Sequence, residues 1–375
     1  MSLQLRKRFK MTLASWLARL FRRPRLTPVE VQNLQPRCVL IVRQHNQMGD
    51  MVCATPTFRA LRQTYPTAQL ALVCAPLNLG VVKHNPDLDR VLVFDKKIWR
   101  RPHRLWRFWR QLRDFHPDVA FVLNSVSFSM TSVVIAVASG APVLVGGDSR
   151  PFGWDLSRHV YSLVMPSRPD PDRHAVLHGL APLQAIGITT ENIATVVVPS
   201  AAERATAGQF LARQGLVGPF WVMHPGAGKR ENLWPAARFA AVAARAARAG
   251  QKVLVLQGPA DQEVMQEFWS ALDEPGSAGP SASILPVPLL PVGSCAALLA
   301  RADRFLCNDT GLMHVAGAMG VPTLALFGPT DPAIWKPAGD QVKGLRAEHG
   351  ELTSLSSEAV WQAITCLGSA QTGES

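Results

Sequence analysis

The residues best suited to chemistry fall in three short stretches. The first is Arg43-Gln44-His45-Asn46-Gln47-Met48-Gly49-Asp50. Asp50 closes a glycine-containing turn, and a carboxylate so placed can take the proton from a hydroxyl nucleophile. A plainer role competes with that one, because Asp is favoured at helix starts and can simply cap the helix that follows. The second stretch is His224-Pro225-Gly226-Ala227-Gly228-Lys229-Arg230-Glu231-Asn232-Leu233-Trp234-Pro235. Gly226 and Gly228 let backbone amides approach an anion, Lys229 and Arg230 add positive charge, and the set suits a diphosphate. The P-loop spacing Gly-x-x-x-x-Gly-Lys-Ser/Thr is absent. A solvated strand-to-helix loop would carry the same residues. The third stretch is Asn308-Asp309-Thr310-Gly311-Leu312-Met313-His314. Asp309 can cap a helix beginning here, and the amides of Thr310, Gly311 and Leu312 would then point at a phosphate, helped by the helix dipole. His314 can face the same ligand or pack beside the loop.

Each stretch needs an element to aim it, and the apolar runs supply one. Strands are expected at Cys38 to Arg43, Gln69 to Ala75, Val91 to Phe94, Asp118 to Leu123 and Val143 to Gly146. Helices are expected at Thr57 to Tyr65, Leu105 to Phe115 and Met130 to Ser139. The region from Asp148 to Ser200 reads as irregular. Alternation then restarts, with strands at Phe220 to His224, Lys252 to Gln257, Phe305 to Asn308 and Thr323 to Phe327. Helices in this half are expected at Ala236 to Ala249, Asp261 to Leu272, Ser294 to Ala300 and Leu312 to Met319. Strands alternating with helices imply parallel sheets covered on both faces, hence an α/β fold. Ligands bind such sheets at the carboxyl ends of the strands, where all three stretches fall. The chain is therefore divided into a basic extension at 1–35, a first Rossmann-like domain at 36–200 and a second at 201–355. The remainder, 356–375, is a helix and tail returning across the first half. The cleft between two such halves is the expected active site.

Composition narrows the classes. The chain has 375 residues, 47% of them hydrophobic, which suits two globular domains and excludes a disordered chain. Its formal charge of +12 favours anionic partners. Eight Lys or Arg residues lie between Arg6 and Arg25, before the first acid, Glu30. Apolar residues at Leu5, Phe9, Leu13, Trp16, Leu17 and Leu20 have helical spacing, so Leu3 to Phe21 is expected to form a basic amphipathic helix. Such a helix can lie on an anionic membrane or pack on its own protein. No cleavable signal peptide is expected. The uncharged run Val119 to Gly147 is long enough to span a membrane, but Asn124 and the Gly140-Ala141-Pro142 turn mark it as strand, helix and strand. The six cysteines form no Cys-x-x-Cys pair and read as free thiols, with no zinc site.

A second basic run, Lys96 to Arg113, is interleaved with Trp99, Trp106 and Trp109. Leu105, Trp109 and Leu112 share a helical face expected to pack inward. Arg100, Arg104 and Arg107 lie on another face, where they can grip an anionic acceptor or stand in solvent. Nucleic-acid binding would use the charge, but no recognisable module accompanies it.

Taken together, the motifs resemble glycosyltransferase family 9, the heptosyltransferases of the lipopolysaccharide inner core. The resemblance runs from about Cys38 to the end. It rests on Met48-Gly49-Asp50 with Thr55-Pro56, His224-Pro225-Gly226 through Trp234-Pro235, and Asn308-Asp309-Thr310-Gly311 with His314. Gly317, Gly320, Pro322 and Phe327-Gly328-Pro329-Thr330 add to it. It implies a GT-B architecture and an inverting transfer from ADP-heptose to a lipid-anchored core glycan, with no metal or other cofactor. Asp50 would be the base. Lys229, Gly49, Gly226, Arg230 and the amides from Asp309 to Leu312 would serve the diphosphate, and His314 would flank the donor. Asp261 or Glu263, after Gln257-Gly258-Pro259, would meet the ribose. The implied location is cytoplasmic, peripheral on the inner face of the inner membrane. One departure stands out: where many members carry a Lys close before Trp-Pro, this chain has Leu233, with Lys229 farther upstream. Two alternatives are a transferase for another nucleotide sugar and a noncatalytic sugar-nucleotide or glycan binder. A dinucleotide oxidoreductase would require a Gly-x-Gly-x-x-Gly after the first strand, which is missing.

Overall fold

The computed structural model describes residues 21–44, 47–124, 127–167, 170–273 and 281–368, and the chain divides into two compact units, Met1–Ile193 and Ala194–Ser375. Among the described residues each unit holds one six-stranded sheet. The first contains β1 (Cys38–Arg43), β2 (Gln69–Cys74), β3 (Arg90–Val93), β4 (Val119–Val122), β5 (Val143–Gly147) and β6 (Leu163–Met165), in the order β3-β2-β1-β4-β5-β6. The second contains β7 (Phe220–His224), β8 (Lys252–Val255), β9 (Ile284–Pro286), β10 (Arg304–Asn308), β11 (Thr323–Phe327) and β12 (Val342–Arg346). Their order is β12-β11-β10-β7-β8-β9. Read from β9, that is the arrangement of the first sheet. All the pairings are parallel. This is the doubly wound Rossmann order, twice over.

Local chemistry explains the elements. Val39, Leu40, Ile41 and Val42 of β1 are fully buried, as a strand covered on both faces requires. The Ala236–Arg248 helix buries Phe239, Ala240, Ala243 and Ala247 on one stripe and joins Trp234, Phe268 and Leu306 in the second unit's core. The first unit has its own core around Leu40, Val42, Phe94, Phe108 and Leu112. The uncharged run from Val119 becomes β4, the Met130–Ala138 helix and β5. No helix among the described residues is long and apolar enough to cross a membrane.

Several expectations change. The segment read as irregular holds β6 and the Ser157–Val160 and Ala175–Gln184 helices. Gly179 and Pro182 inside the latter helix hide it from propensity. β12 was not foreseen, because Lys343 and Gly344 break any apolar alternation and an edge strand needs little. The extension set off at 1–35 belongs, from residue 25, to the first unit. Arg25 donates to the carbonyls of Tyr161 (3.1 Å) and Arg158. Thr27 and Glu30 form a capping box on the Pro28–Gln32 helix, whose Val31 is buried and whose Gln32 side chain donates to Ile186 O at 2.6 Å. The basic helix expected over Leu3 to Phe21 lies, up to residue 20, outside the described residues. The Ser357–Thr365 helix, expected to return to the first half, buries Val360 and Ile364 in the core of the second.

All six cysteines are free. Burial pushes the thiols of Cys53 and Cys74 up to about 12 and that of Cys295 up to about 11. Cys307, also buried, lies well above the ordinary thiol range. Because the thiolate is the nucleophile, maleimide at neutral pH is expected to label exposed Cys366 quickly and half-buried Cys38 more slowly. The other four should react only after unfolding. Intact-mass spectrometry checks this, and fast labelling beyond two sites would contradict the packing.

Candidate functional site

In each sheet the strand order reverses between two neighbours: β1 and β4 in the first, β7 and β10 in the second. Loops leaving those strands turn to opposite faces, and the crevice left at their carboxyl ends is where such folds bind ligands. The three sequence stretches leave β1, β7 and β10. Each unit thus carries its motif residues at its own reversal point.

In the second unit, hydrogen bonds lock the two loops together. Asn308, at the end of β10, is fully buried. Its Nδ2 donates to Pro225 O (2.7 Å) and Gly226 O (3.4 Å), and its Oδ1 accepts from the Trp234 amide (3.1 Å). Next in sequence, the Asp309 carboxylate accepts from Asn232 Nδ2 (3.2 Å) and the Thr330 hydroxyl (2.8 Å). Trp234 is anchored in turn by its indole N–H on Leu355 O at 3.0 Å. The loop bearing Lys229 and Arg230 is therefore clamped to the strand end that leads into the Gly311–Ala318 helix.

That helix starts differently from the sequence expectation. Its N-cap is Thr310, with no side-chain capping bond, and Asp309 is instead occupied with Asn232 and Thr330. Thr310, Gly311 and Leu312 are half-buried. The amides of Gly311 and Leu312 belong to the first turn, where no intrahelical carbonyl can accept from them. The dipole adds partial positive charge at the same point. His314 is buried within the helix at 6% exposure. Lys229 stands 58% exposed, 3.5 Å from Glu231, and Arg230 88% exposed, 3.3 Å from Glu263.

Asp261, offered above as a ribose ligand, is an internal residue. It is 6% exposed, its Oδ2 lies 2.9 Å from His224 Nε2, and it accepts from the Gly258 amide at 2.6 Å. A Cβ built on Gly226 would come within 2.3 Å of the Asp261 carboxylate, so the backbone lies directly on that group and only glycine fits. The carboxylate thus supports the second loop from beneath and is not available to a ribose. Glu263, by contrast, is exposed and pairs with Arg230. Burial raises the Asp261 pKa, but the His224 hydrogen bond and charge, with the Gly258 amide, outweigh burial and hold it below the ordinary value. A depressed carboxylate contributes stability that is complete above the unfolded value, near about pH 4, and is lost as pH falls through the folded one. Asp261→Asn is expected to cost about 1–3 kcal/mol at neutral pH and to flatten the acid limb of the stability curve. Identical acid limbs for both proteins in urea titrations would contradict this.

In the first unit, Asp50 occupies the third position of the Met48–Cys53 helix, whose N-cap is Gln47. It is therefore a half-buried first-turn residue and not the cap. Its backbone carbonyl accepts from Arg43 at 3.2 Å, and the same guanidinium donates to Leu123 O at 2.8 Å. Burial lowers the Arg43 pKa, while the Asp50 charge draws it upward. Gly49 lies beside Asp50 in the same turn. Arg43, with Gln44 after β1 and Asn124 after β4, is buried, the three being 6%, 5% and 8% exposed. Arg43 Nε, Gln44 Nε2 and both polar atoms of the Asn124 side chain are buried with no hydrogen-bond partner among the described residues.

Arg100 ends the short Lys96–Arg100 turn, and Arg104 and Arg107 stand on the Pro102–Asp114 helix, all exposed. Phe108 joins Leu112 as that helix's buried residues, with Leu105 and Trp109 at the margin. Sequence reasoning gave no role to Asn232, Asn308, Thr330, Gln44 or Asn124. The only signal for them was position just beyond a strand's carboxyl end. Among the described residues no cluster of three or more His, Cys, Asp or Glu side chains could hold a metal ion.

Two parallel Rossmann-like sheets, each with its polar loops at the reversal point, make the protein one of the GT-B fold class. A profile described as glycosyltransferase family 9 (heptosyltransferase) matches residues 105–364, and the chain belongs to that family. It is 21% identical over 292 residues to lipopolysaccharide heptosyltransferase 3 of Escherichia coli, covering 77% of this chain and 83% of that protein. The glycosyl transferase family 9 structure from Veillonella parvula superimposes with a TM-score of 0.75 at 24% identity, covering 88% of this chain and 97% of the other. E. coli heptosyltransferase WaaC with ADP gives 0.70 at 21% identity, covering 88% and 100%.

Proposed function

We propose that this enzyme transfers a heptose from ADP-heptose to a lipid-anchored lipopolysaccharide inner-core acceptor, with inversion and without a metal. The observation that carries the reading is the clamp by Asn308 and Asp309, which holds the Lys229-Arg230 loop against the first turn of the Gly311–Ala318 helix. Backbone amides, a helix dipole and a lysine together form a site for a diphosphate. The relatives support the donor's identity, since E. coli WaaC was solved with ADP and with ADP-2-deoxy-2-fluoro heptose.

In the proposed reaction the Asp50 carboxylate takes the acceptor hydroxyl's proton. The acceptor oxygen bonds to C1 of the heptose from the face opposite the diphosphate, and the C1–O bond to phosphate breaks. The amides of Gly311 and Leu312, with Lys229, stabilise the charge that develops on the leaving ADP. Polar groups of Gln44 and Asn124, buried beyond the ends of β1 and β4 with no partner among the described residues, suit the hydroxyls of a sugar acceptor. The exposed Arg100, Arg104 and Arg107 suit its phosphate groups. A lipid-anchored acceptor places the protein at the inner face of the inner membrane, where the basic N-terminal segment adds attraction.

A donor screen by mass spectrometry, with a truncated lipopolysaccharide acceptor and chelator present, tests the reading. Growth of the acceptor by one heptose from ADP-heptose is expected. No transfer from any nucleotide sugar would return the noncatalytic alternative. Calorimetry is expected to show ADP binding at least about a hundredfold more tightly than adenosine, since charge-assisted bonds to the diphosphate carry the affinity. Equal affinities would remove the phosphate site.

A further inference from the structure

On the exposed side of the Pro102–Asp114 helix, Trp106, Arg110 and Arg113 have no role in the proposed transfer. Phe108 and Leu112 fix its inner face, with the Phe108 and Phe94 rings 4.9 Å apart. On the outside, Trp106 is 60% exposed and the Arg110 guanidinium lies 5.4 Å over its ring. Trp106, Trp109, Arg110, Arg113 and Asp114, with Ala138 from the neighbouring helix, line an open hollow of about 530 Å³. Eight Lys or Arg residues fall between Lys96 and Arg113, with acids only at the two ends, Asp95 and Asp114. The Asp95 side chain caps the Lys97 amide at 2.9 Å, and the Asp114 carboxylate makes an exposed pair with Arg110 at 3.7 Å. The positive field is therefore almost uncompensated.

An indole held at the surface among arginines matches the chemistry of the bilayer interface. Its ring favours the headgroup level, and arginine stems lie along apolar surface with their heads in the phosphate layer. We propose that this face of the helix docks on a bilayer containing anionic phospholipid, with Trp106 seated among the headgroups and Arg110 and Arg113 on their phosphates. The docking is independent of the proposed transfer, so each can fail without the other.

The test sediments full-length protein with vesicles of phosphatidylcholine, or of phosphatidylcholine and phosphatidylglycerol in equal parts. Trp106→Ala and the double variant Arg110→Gln/Arg113→Gln are compared with Arg213→Gln, an exposed residue of the second unit. All substituted side chains are at or near the surface, and thermal melts confirm folding. Affinity for the anionic vesicles is expected to fall roughly tenfold for Trp106→Ala. It should fall roughly twenty-fivefold for the double variant, about fivefold per cation, and stay at the wild-type value for the control. Binding to the neutral vesicles should be weak throughout. Anionic-vesicle affinity unchanged in either test variant would overturn the proposal, including the case in which the N-terminal segment alone holds the membrane. Strong binding of single-stranded DNA with the same residue dependence and no vesicle binding would overturn it too.

Discussion

Asp50→Asn is expected to lower kcat by about 10²–10⁴-fold, the usual contribution of a positioned general base. The substitution is close to isosteric. Asp50 meets Arg43 through its backbone carbonyl, so that contact survives and the Met48–Cys53 helix keeps its register. What disappears is the proton acceptor, together with the negative charge that acts on the buried Arg43 guanidinium. The acceptor hydroxyl must then attack as a neutral alcohol or pass its proton to water, and neither is positioned. The proposed donor site is built from second-unit residues, while Asp50 belongs to a helix of the first, so ADP affinity should stay within about twofold. Transfer assays and calorimetry on the same preparation separate the two effects. A kcat reduced less than tenfold would show that another group removes the proton. Loss of ADP affinity alongside kcat would mean that Asp50 acts on donor binding.

Asn308→Ala should have the largest effect on the second unit. Its side chain bridges two loops and is fully buried, so no water can replace it. Truncation leaves the Trp234 amide without its acceptor and the Pro225 carbonyl without its donor. At about 1–3 kcal/mol for each of these two unsatisfied groups, the unit should lose about 2–6 kcal/mol. Its Tm should fall on the order of 10 °C. Loosening the 225–234 loop also frees Lys229 and Arg230, the cations of the proposed diphosphate site. ADP affinity is therefore expected to drop at least about tenfold, against a first unit whose melting is unchanged. Asn308→Asp should not rescue it, because a carboxylate lacks the donors for Pro225 and Gly226 and would be buried as a charge. Calorimetric melting with and without ADP reads both effects. An unaltered melt would refute the clamp.

Much of the fold was legible in the chain because buried parallel strands must be nearly continuous apolar runs. β1, β4, β7, β10 and β11 announce themselves that way. The order of the three polar stretches, each just beyond such a run, already located the carboxyl ends of β1, β7 and β10. Short or edge elements such as β6 and β12 were not legible, since their pairing comes from neighbours and not from their own three to five residues.

The roles within the site needed the folded chain. Asp50 and Asp309 both look like caps by local preference, yet Gln47 and Thr310 occupy those positions. Asp309 faces Asn232 and Thr330, and Asp261 supports Gly226 from inside. The contacts that decide this join residues 74 and 83 positions apart, as in Asn308 with Trp234 and with Pro225. A local pattern encodes what a residue prefers among its near neighbours. Which partner satisfies a buried polar group is decided by whatever the tertiary packing brings within about 3 Å, where a hydrogen bond can form and water cannot compete.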